Sequence, residues 1–309
     1  MFNKMPLSIE SQVQLLKVRG LQVFPNEEEE IRIWLNNVHY YKLSGYWLAY
    51  ELKNQSGSGR LHKFKNGTTW KKVKHTYIFD QKFRRLMWTA IEKIEVSVKA
   101  HWCQYLSMNY GPFPQDNKNL FSTYIYKSHG SYSKLITSYA KSNALYAKHY
   151  RIHYPELKTP PIWIAALIIS FGEMVNWIKY INSAKIRNEI LRPYGFDERI
   201  MISFLTHLIE VRNICAHNER LWNRQTNREF ILPKRYMDIF VFNKSHKANR
   251  RIYNTIIMIS EVLKSIDPKY PFLSLMKDLI KDNYLINPCY MGFPPNWESL
   301  SPWNTLSSK

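Results

Sequence analysis

This chain is short of cysteine, of acid and of long uncharged apolar runs, and each shortage removes a class of protein. Its 3 cysteines, Cys103, Cys215 and Cys289, lie far apart and form no CxxC pair. That argues against a disulfide scaffold and a zinc knuckle, and free, buried thiols in a reducing cytosol are the expectation. The longest membrane candidate, Ile162 to Phe171, is half the roughly 20 residues that a spanning helix needs. The opening residues, MFNKMPLSIESQ, hold no continuous apolar core of a signal peptide. A cytoplasmic protein that does not enter a membrane is therefore expected. No Walker loop, GxGxxG, HExxH or GxSxG occurs. His149 and His153 are spaced i, i+4, but no carboxylate or cysteine cluster accompanies them. No metal and no cofactor are expected.

The shortage of acid is the most telling. Only 24 Asp and Glu stand against 44 Lys and Arg, a formal net charge of +20. Such an excess favours a polyanionic partner, either nucleic acid or an acidic membrane surface. From Leu52 to His75 there are 7 basic residues and no acid, and from Arg212 to Arg251 there are 10 basic residues and 3 acids. Each segment is either a solvated face or a phosphate-binding surface, with Lys71, Lys72 and Lys74 the basic residues that enter the first long helix. The hydrophobic share of 45% excludes a disordered chain, and the 309 residues suffice for a large core. Aromatic residues, 15% of the chain, are mostly core, but beside basic patches they offer faces on which unpaired bases stack.

Periodicity predicts an all-α protein. Ser8 caps a first helix that ends at Gly20. Asn26 caps a second, with Glu29 at the capping-box position, so the run Glu27 to Glu30 reads as helix-start acid rather than a metal site. Ile31, Trp34, Leu35 and Val38 make its apolar stripe. An aromatic block from His39 to Tyr50 is broken at Gly45, and residues 53–68 form a loop or a short hairpin. From Thr69 to Met108 the pattern is one long helix, or two joined near Asp80, ended by Gly111-Pro112. A Tyr- and Lys-rich helix runs to about Tyr150. An apolar helix runs from Pro160-Pro161 to Ile181, and a short one covers 183–192. The next spans about 197–222, and two more lie near 248–265 and 271–283. The tail from Pro288 is irregular. The expected organisation is an N-terminal helical extension with a basic loop (1–68), a helical domain (69–285) and the tail (286–309).

One stretch carries chemistry: Arg212-Asn213-Ile214-Cys215-Ala216-His217. Arg holds a phosphate, and His moves a proton near neutral pH. RNA is cut when its own 2′-OH attacks the adjacent phosphate. The enzyme must take a proton from that hydroxyl and give one to the leaving oxygen, and a well-placed histidine contributes about 10²–10⁴-fold to such a step. Arg supplies fixed charge where the transition-state phosphate gathers negative charge. Arg212 and His217 are five positions apart, about 140° around an ideal helix, so they do not share a face. Asn213 and His217 do, and Arg220 and Arg224 extend that line. One histidine per chain makes two proton transfers awkward, so a homodimer with a composite site is expected. An Arg and a His at this spacing also occur by chance, and the structural alternative is a buried, paired His217. Arg32 and His39, with six residues between them, read as structural. His101 reads as a core or surface histidine. Glu92 and Glu95 either orient Arg212 or His217 or form surface salt bridges.

Several further segments together resemble a known family. Leu15-Leu16-Lys17-Val18-Arg19-Gly20-Leu21 and Tyr40-Tyr41-Lys42-Leu43-Ser44-Gly45-Tyr46-Trp47 are similar to the start of the Abi-like proteins, the AbiD/AbiF type of bacterial abortive-infection proteins. Tyr77-Ile78-Phe79-Asp80 with Arg84-Arg85-Leu86, Ala90 to Glu95, Tyr110 to Phe113, Pro160 to Trp163, Ser170 to Gly172, and Leu221 to Arg224 follow in order. The resemblance runs from about residue 8 to 285. Lys42 stands where an Arg is common. The resemblance implies an all-helical fold of the HEPN superfamily over 69–285, with Arg212 and His217 matching its Arg-x4–6-His motif and Asn213 at the polar position after the Arg. It further implies metal-independent RNA cleavage in phage defence by a dimer. Its alternative is a non-catalytic protein that holds a structured small noncoding RNA.

Overall fold

The computed structural model describes residues 5–54, 60–242 and 250–306. Parts of both basic segments, residues 55–59 and 243–249, lie outside the described residues. The fold is all-α, with a two-stranded sheet as its one β element among the described residues. Helix α1 (Ile9–Val18) starts where the Ser8 hydroxyl accepts the Ser11 N–H. Helix α2 (Glu28–Asn37) follows a 3₁₀ turn, Pro25–Glu27, and is entered differently from the expectation. Asn26 is not its cap; Glu27 reaches back to accept the Phe24 N–H. The neighbouring acids join elements instead, Glu28 to Lys17 of α1 and Glu30 to Lys74.

Helix α3 (Tyr40–Trp47) passes through Gly45 unbroken. The glycine serves approach rather than flexibility: a Cβ there would lie 3.3 Å from the Arg220 Nε. Strands β1 (Glu51–Lys53) and β2 (Arg60–Phe64) then form an antiparallel hairpin. Helix α4 (Trp70–Tyr110) is one element of 41 residues. Thr69 caps it by accepting the Lys72 N–H, and Gly111, at φ 77°, ends it. At 1.5 Å per residue it is about 60 Å long, and it is the axis of the molecule. Its apolar positions, Val73, Phe83, Met87, Ile94, Val98 and Trp102 among them, are buried under helices from both ends of the chain.

Beyond α4 come α5 (Ser131–Lys141) and α6 (Leu145–His153), where one helix was expected. Arg151 donates to the carbonyls of Tyr139 and Ser142, satisfying the frayed end of α5. Helices α7 (Ile162–Ile168) and α8 (Phe171–Lys179) also replace a single one, because Ser170 caps α8 at the Glu173 N–H. Next are α9 (Ala184–Leu191), α10 (Glu198–Ala216), α11 (Tyr253–Ile266) and α12 (Phe272–Lys281). The tail is irregular, as expected, yet folded inward. Trp303 is fully buried against Tyr253, Phe293 and Trp297, and Lys277 donates to its carbonyl at 2.9 Å. One hydrophobic cluster thus runs from Val13 to Trp303. Among the described residues, no helix is long and apolar enough to cross a membrane.

Candidate functional site

Helix α10 packs antiparallel to α4, and three levels of contact join them. At the lowest, Asp80 is completely buried and both its oxygens accept hydrogen bonds. Oδ1 takes the backbone N–H groups of Leu221 and Trp222 at 3.1 and 2.7 Å. Oδ2 takes the Tyr46 hydroxyl at 2.8 Å and Arg84 Nε at 3.0 Å. Burial pushes the Asp80 carboxyl up, against the opposing pull of Trp222, Arg84 and Tyr46. Four donors on a carboxylate are the arrangement that makes a buried charge tolerable. Burial, with the Asp80 charge nearby, also raises the Cys215 thiol to about 12, so this thiol is inert. Cys289, by contrast, is exposed, unlike the buried thiol expected.

At the middle level, Arg84 Nη1 donates to Asn218 Oδ1 at 2.9 Å. Asn218 ends α10. It has φ 55°, its N–H bonds the Cys215 carbonyl, and the Glu219 N–H bonds that of Ile214. That pair of bonds is a Schellman closure, with Asn as the left-handed residue. The helix therefore stops at Ala216, not at about residue 222, and His217 is its last half-turn residue, exposed to solvent. The buried His217 of the structural alternative is absent.

At the upper level sits Arg212. Its guanidinium lies 5.1 Å from the Trp88 ring centroid, and its Nε is 3.7 Å from Glu95 Oε2. Glu95 also holds Lys99 at 3.0 Å. Glu95, not the exposed Glu92, is the carboxylate that orients Arg212. The Arg212 Nε is buried and has no hydrogen-bond partner among the described residues. Asn213 is exposed and its side-chain oxygen faces Arg212 Nη1 at 3.4 Å.

The early end of α10 alters the expected basic line. Arg220 turns inward to donate to the Trp222 carbonyl and packs against Gly45, and burial lowers its pKa. Arg224 pairs with Glu219 at 2.6 Å. With Asn213, Glu219 and Arg228 it borders an open cleft of about 420 Å³. Lys71, Lys72 and Lys74 occupy the first turn and a half of α4, which holds no acid in its first turn. Lys71 is exposed, Lys72 lies 4.7 Å over the Tyr50 ring, and Lys74 pairs with Glu30 at 2.6 Å. Lys72 and Arg84 are separated by roughly 18 Å along α4, so these lysines border Asn218 and His217 at a distance rather than join them.

His39, His101, His149 and His153 have structural partners. His39 caps α3 by accepting the Tyr41 N–H, while Arg32 pairs with Glu28 and Glu29. His101 bonds the Ser97 carbonyl and the Tyr194 hydroxyl. His149 and His153 stack at 4.1 Å, and among the described residues no group of three or more His, Cys, Asp or Glu gathers as for a metal ion. Three residues of the site, Tyr46, Asp80 and Arg84, stood in the segments that carry the resemblance but had no role assigned from the sequence; the one local signal was the i, i+4 spacing of Asp80 and Arg84 on an otherwise apolar face.

This is a helical bundle wound on one long helix, with an arginine and a histidine carried at the end of a second helix packed along it. A family model for Abi-like proteins matches residues 33–223, more than half of the chain. The chain belongs to the Abi-like protein family, a membership that suggests abortive-infection phage defence. The matched stretch takes in Tyr46, Asp80, Arg84, Arg212, His217 and Trp222. No curated protein and no solved structure matches the chain.

Proposed function

We propose that the protein is an endoribonuclease of an abortive-infection system, cutting RNA without a metal at a site built from Arg212, Asn213 and His217. The observation that carries this reading is the exposed His217 at a helix end fixed from below by Asn218, Arg84 and buried Asp80. A proton-transfer residue needs solvent access and a rigid mount, and His217 has both. In the reaction the RNA 2′-oxygen bonds to phosphorus and the bond from phosphorus to the 5′-oxygen breaks. The products are a 2′,3′-cyclic phosphate and a 5′-hydroxyl. His217 of one chain accepts the 2′-OH proton, and a second copy's imidazole gives a proton to the leaving oxygen, which makes the working unit a homodimer. Arg212 steadies the phosphate charge, and Asn213 positions the linkage.

One observation favours a second reading, a non-catalytic protein that holds a structured RNA. The charge of Arg212 is partly balanced by Glu95, which weakens its pull on a phosphate. Incubation with mixed RNA in EDTA separates the two. Under the first reading wild type cleaves, leaving cyclic phosphate ends, while His217→Ala binds RNA without cutting it. Cleavage that survives in His217→Ala removes the site assignment, and equal binding without cleavage by either protein establishes the second reading.

A further inference from the structure

A cavity of about 810 Å³ opens in the N-terminal part of the fold, away from α10. It is walled by the start of α3, the end of α1 and strand β2. Its volume is within the range of about 300–1,000 Å³ usual for small-molecule sites. Beside the apolar Met5, Pro6, Leu7 and Leu15, two kinds of group line it. The first is aromatic: the His39 and Tyr41 rings lie parallel within 16° at 5.7 Å, and Tyr41 is 67% exposed. Tyr40 and Trp47, edge to face at 5.2 Å, form the wall beside them. The second is cationic. Arg19 reaches in and gives one N–H to the Tyr40 hydroxyl at 2.6 Å. It has no carboxylate partner among the described residues. Arg60 also lines the cavity, but its charge is committed to Glu51 through two bonds of 2.8 and 2.6 Å. No Asp or Glu lines the cavity among the described residues.

A flat exposed ring, an uncompensated guanidinium and no acid fit a base with its phosphate. We propose that this cavity binds one unpaired nucleotide, its base stacked on Tyr41 and its phosphate on Arg19. An apolar peptide would leave the Arg19 charge unmatched, and an acidic one would leave the Tyr41 face unused. The nucleotide belongs to an RNA strand or is free in solution, and both present the same base and phosphate. The inference is independent of cleavage at His217.

Titration calorimetry of the full chain with AMP and with a short unstructured RNA oligonucleotide tests it. Tyr41→Ala alters an exposed ring and leaves the core intact, which circular dichroism checks. It is expected to weaken binding of both probes by roughly tenfold, the size of one lost base stack. Arg19→Gln is expected to weaken both and to lower the salt slope for the oligonucleotide by about one. AMP binding that the oligonucleotide cannot match assigns the cavity to a free nucleotide; competition between them assigns it to a strand. Unchanged affinity for both probes in Tyr41→Ala and Arg19→Gln overturns the proposal. His217→Ala is included as the control: it is expected to keep full binding here while losing cleavage. A chain that binds AMP but never cuts RNA therefore retains this site and loses only the ribonuclease reading.

Discussion

His207 is buried and hydrogen-bonded where His217 is exposed, though they lie ten positions apart on one helix and its cap. It is 2% exposed, its Nδ1 is 2.9 Å from the Arg228 carbonyl, and its Nε2 is 2.8 Å from the Thr255 hydroxyl. A carbonyl only accepts, so Nδ1 carries the proton and Nε2 takes the threonine hydrogen. Burial lowers the pKa of His207, overcoming the Arg228 carbonyl and Glu210, and a proton forced onto it would displace the Thr255 bond. A group whose folded pKa is depressed binds more protons when unfolded, so its stability contribution is complete above the unfolded value, about 6.5, and fades as pH falls below it. His75, also lowered by burial and by Lys82, Lys71 and Lys74, acts in the same direction. We predict that the melting temperature falls from pH 7 to pH 5, and that His207→Gln flattens this fall. An unchanged slope in that variant removes His207 as a cause.

Elements meet at Asp80. It ties α3, through Tyr46, to α4, through Arg84, and to the segment after α10, through Leu221 and Trp222. Removing one member of a buried charged pair costs about 3–5 kcal/mol because the other is left uncompensated. Asp80→Ala is therefore predicted to lower stability by about that amount in urea unfolding, and Tyr46→Phe by about 1.5–3 kcal/mol, the worth of one hydrogen bond to a charged group. Asp80→Ala within 1 kcal/mol of wild type contradicts this role. How far these elements were legible depended on distance along the chain. Helix α4 could be read because its stripe, the Thr69 cap and Gly111 are all local signals. The end of α10 could not, because Asn218 takes a left-handed conformation that most residues avoid, and its Arg84 partner lies 134 positions away. The Arg212–His217 pair was visible as a motif and Glu95 as one of two candidate partners, but the choice of Glu95 over Glu92 and the Trp88 contact were not, since helix pairing decides them.

Over the whole molecule, charge decides behaviour before any contact forms. A formal charge of +20 on 309 residues favours polyanions in general, with an attraction that salt weakens, and RNA is the polyanion of the proposed function. Each cation engaged on a phosphate adds roughly 0.7–0.9 to the logarithmic salt slope. Lys71 is exposed and has no ion-pair partner among the described residues, whereas Lys74 is held by Glu30. Lys71→Ala is thus predicted to lower the slope more than Lys74→Ala does, in filter binding across a salt series. Equal slopes for the two variants rule out the α4 start as a contact surface.

Helix α3 carries Tyr41 on one side and Tyr46 on another, eight residues long in all. The ring that faces the cavity is therefore five positions from the hydroxyl that meets the buried carboxylate, and that carboxylate in turn holds the backbone of Leu221 and Trp222.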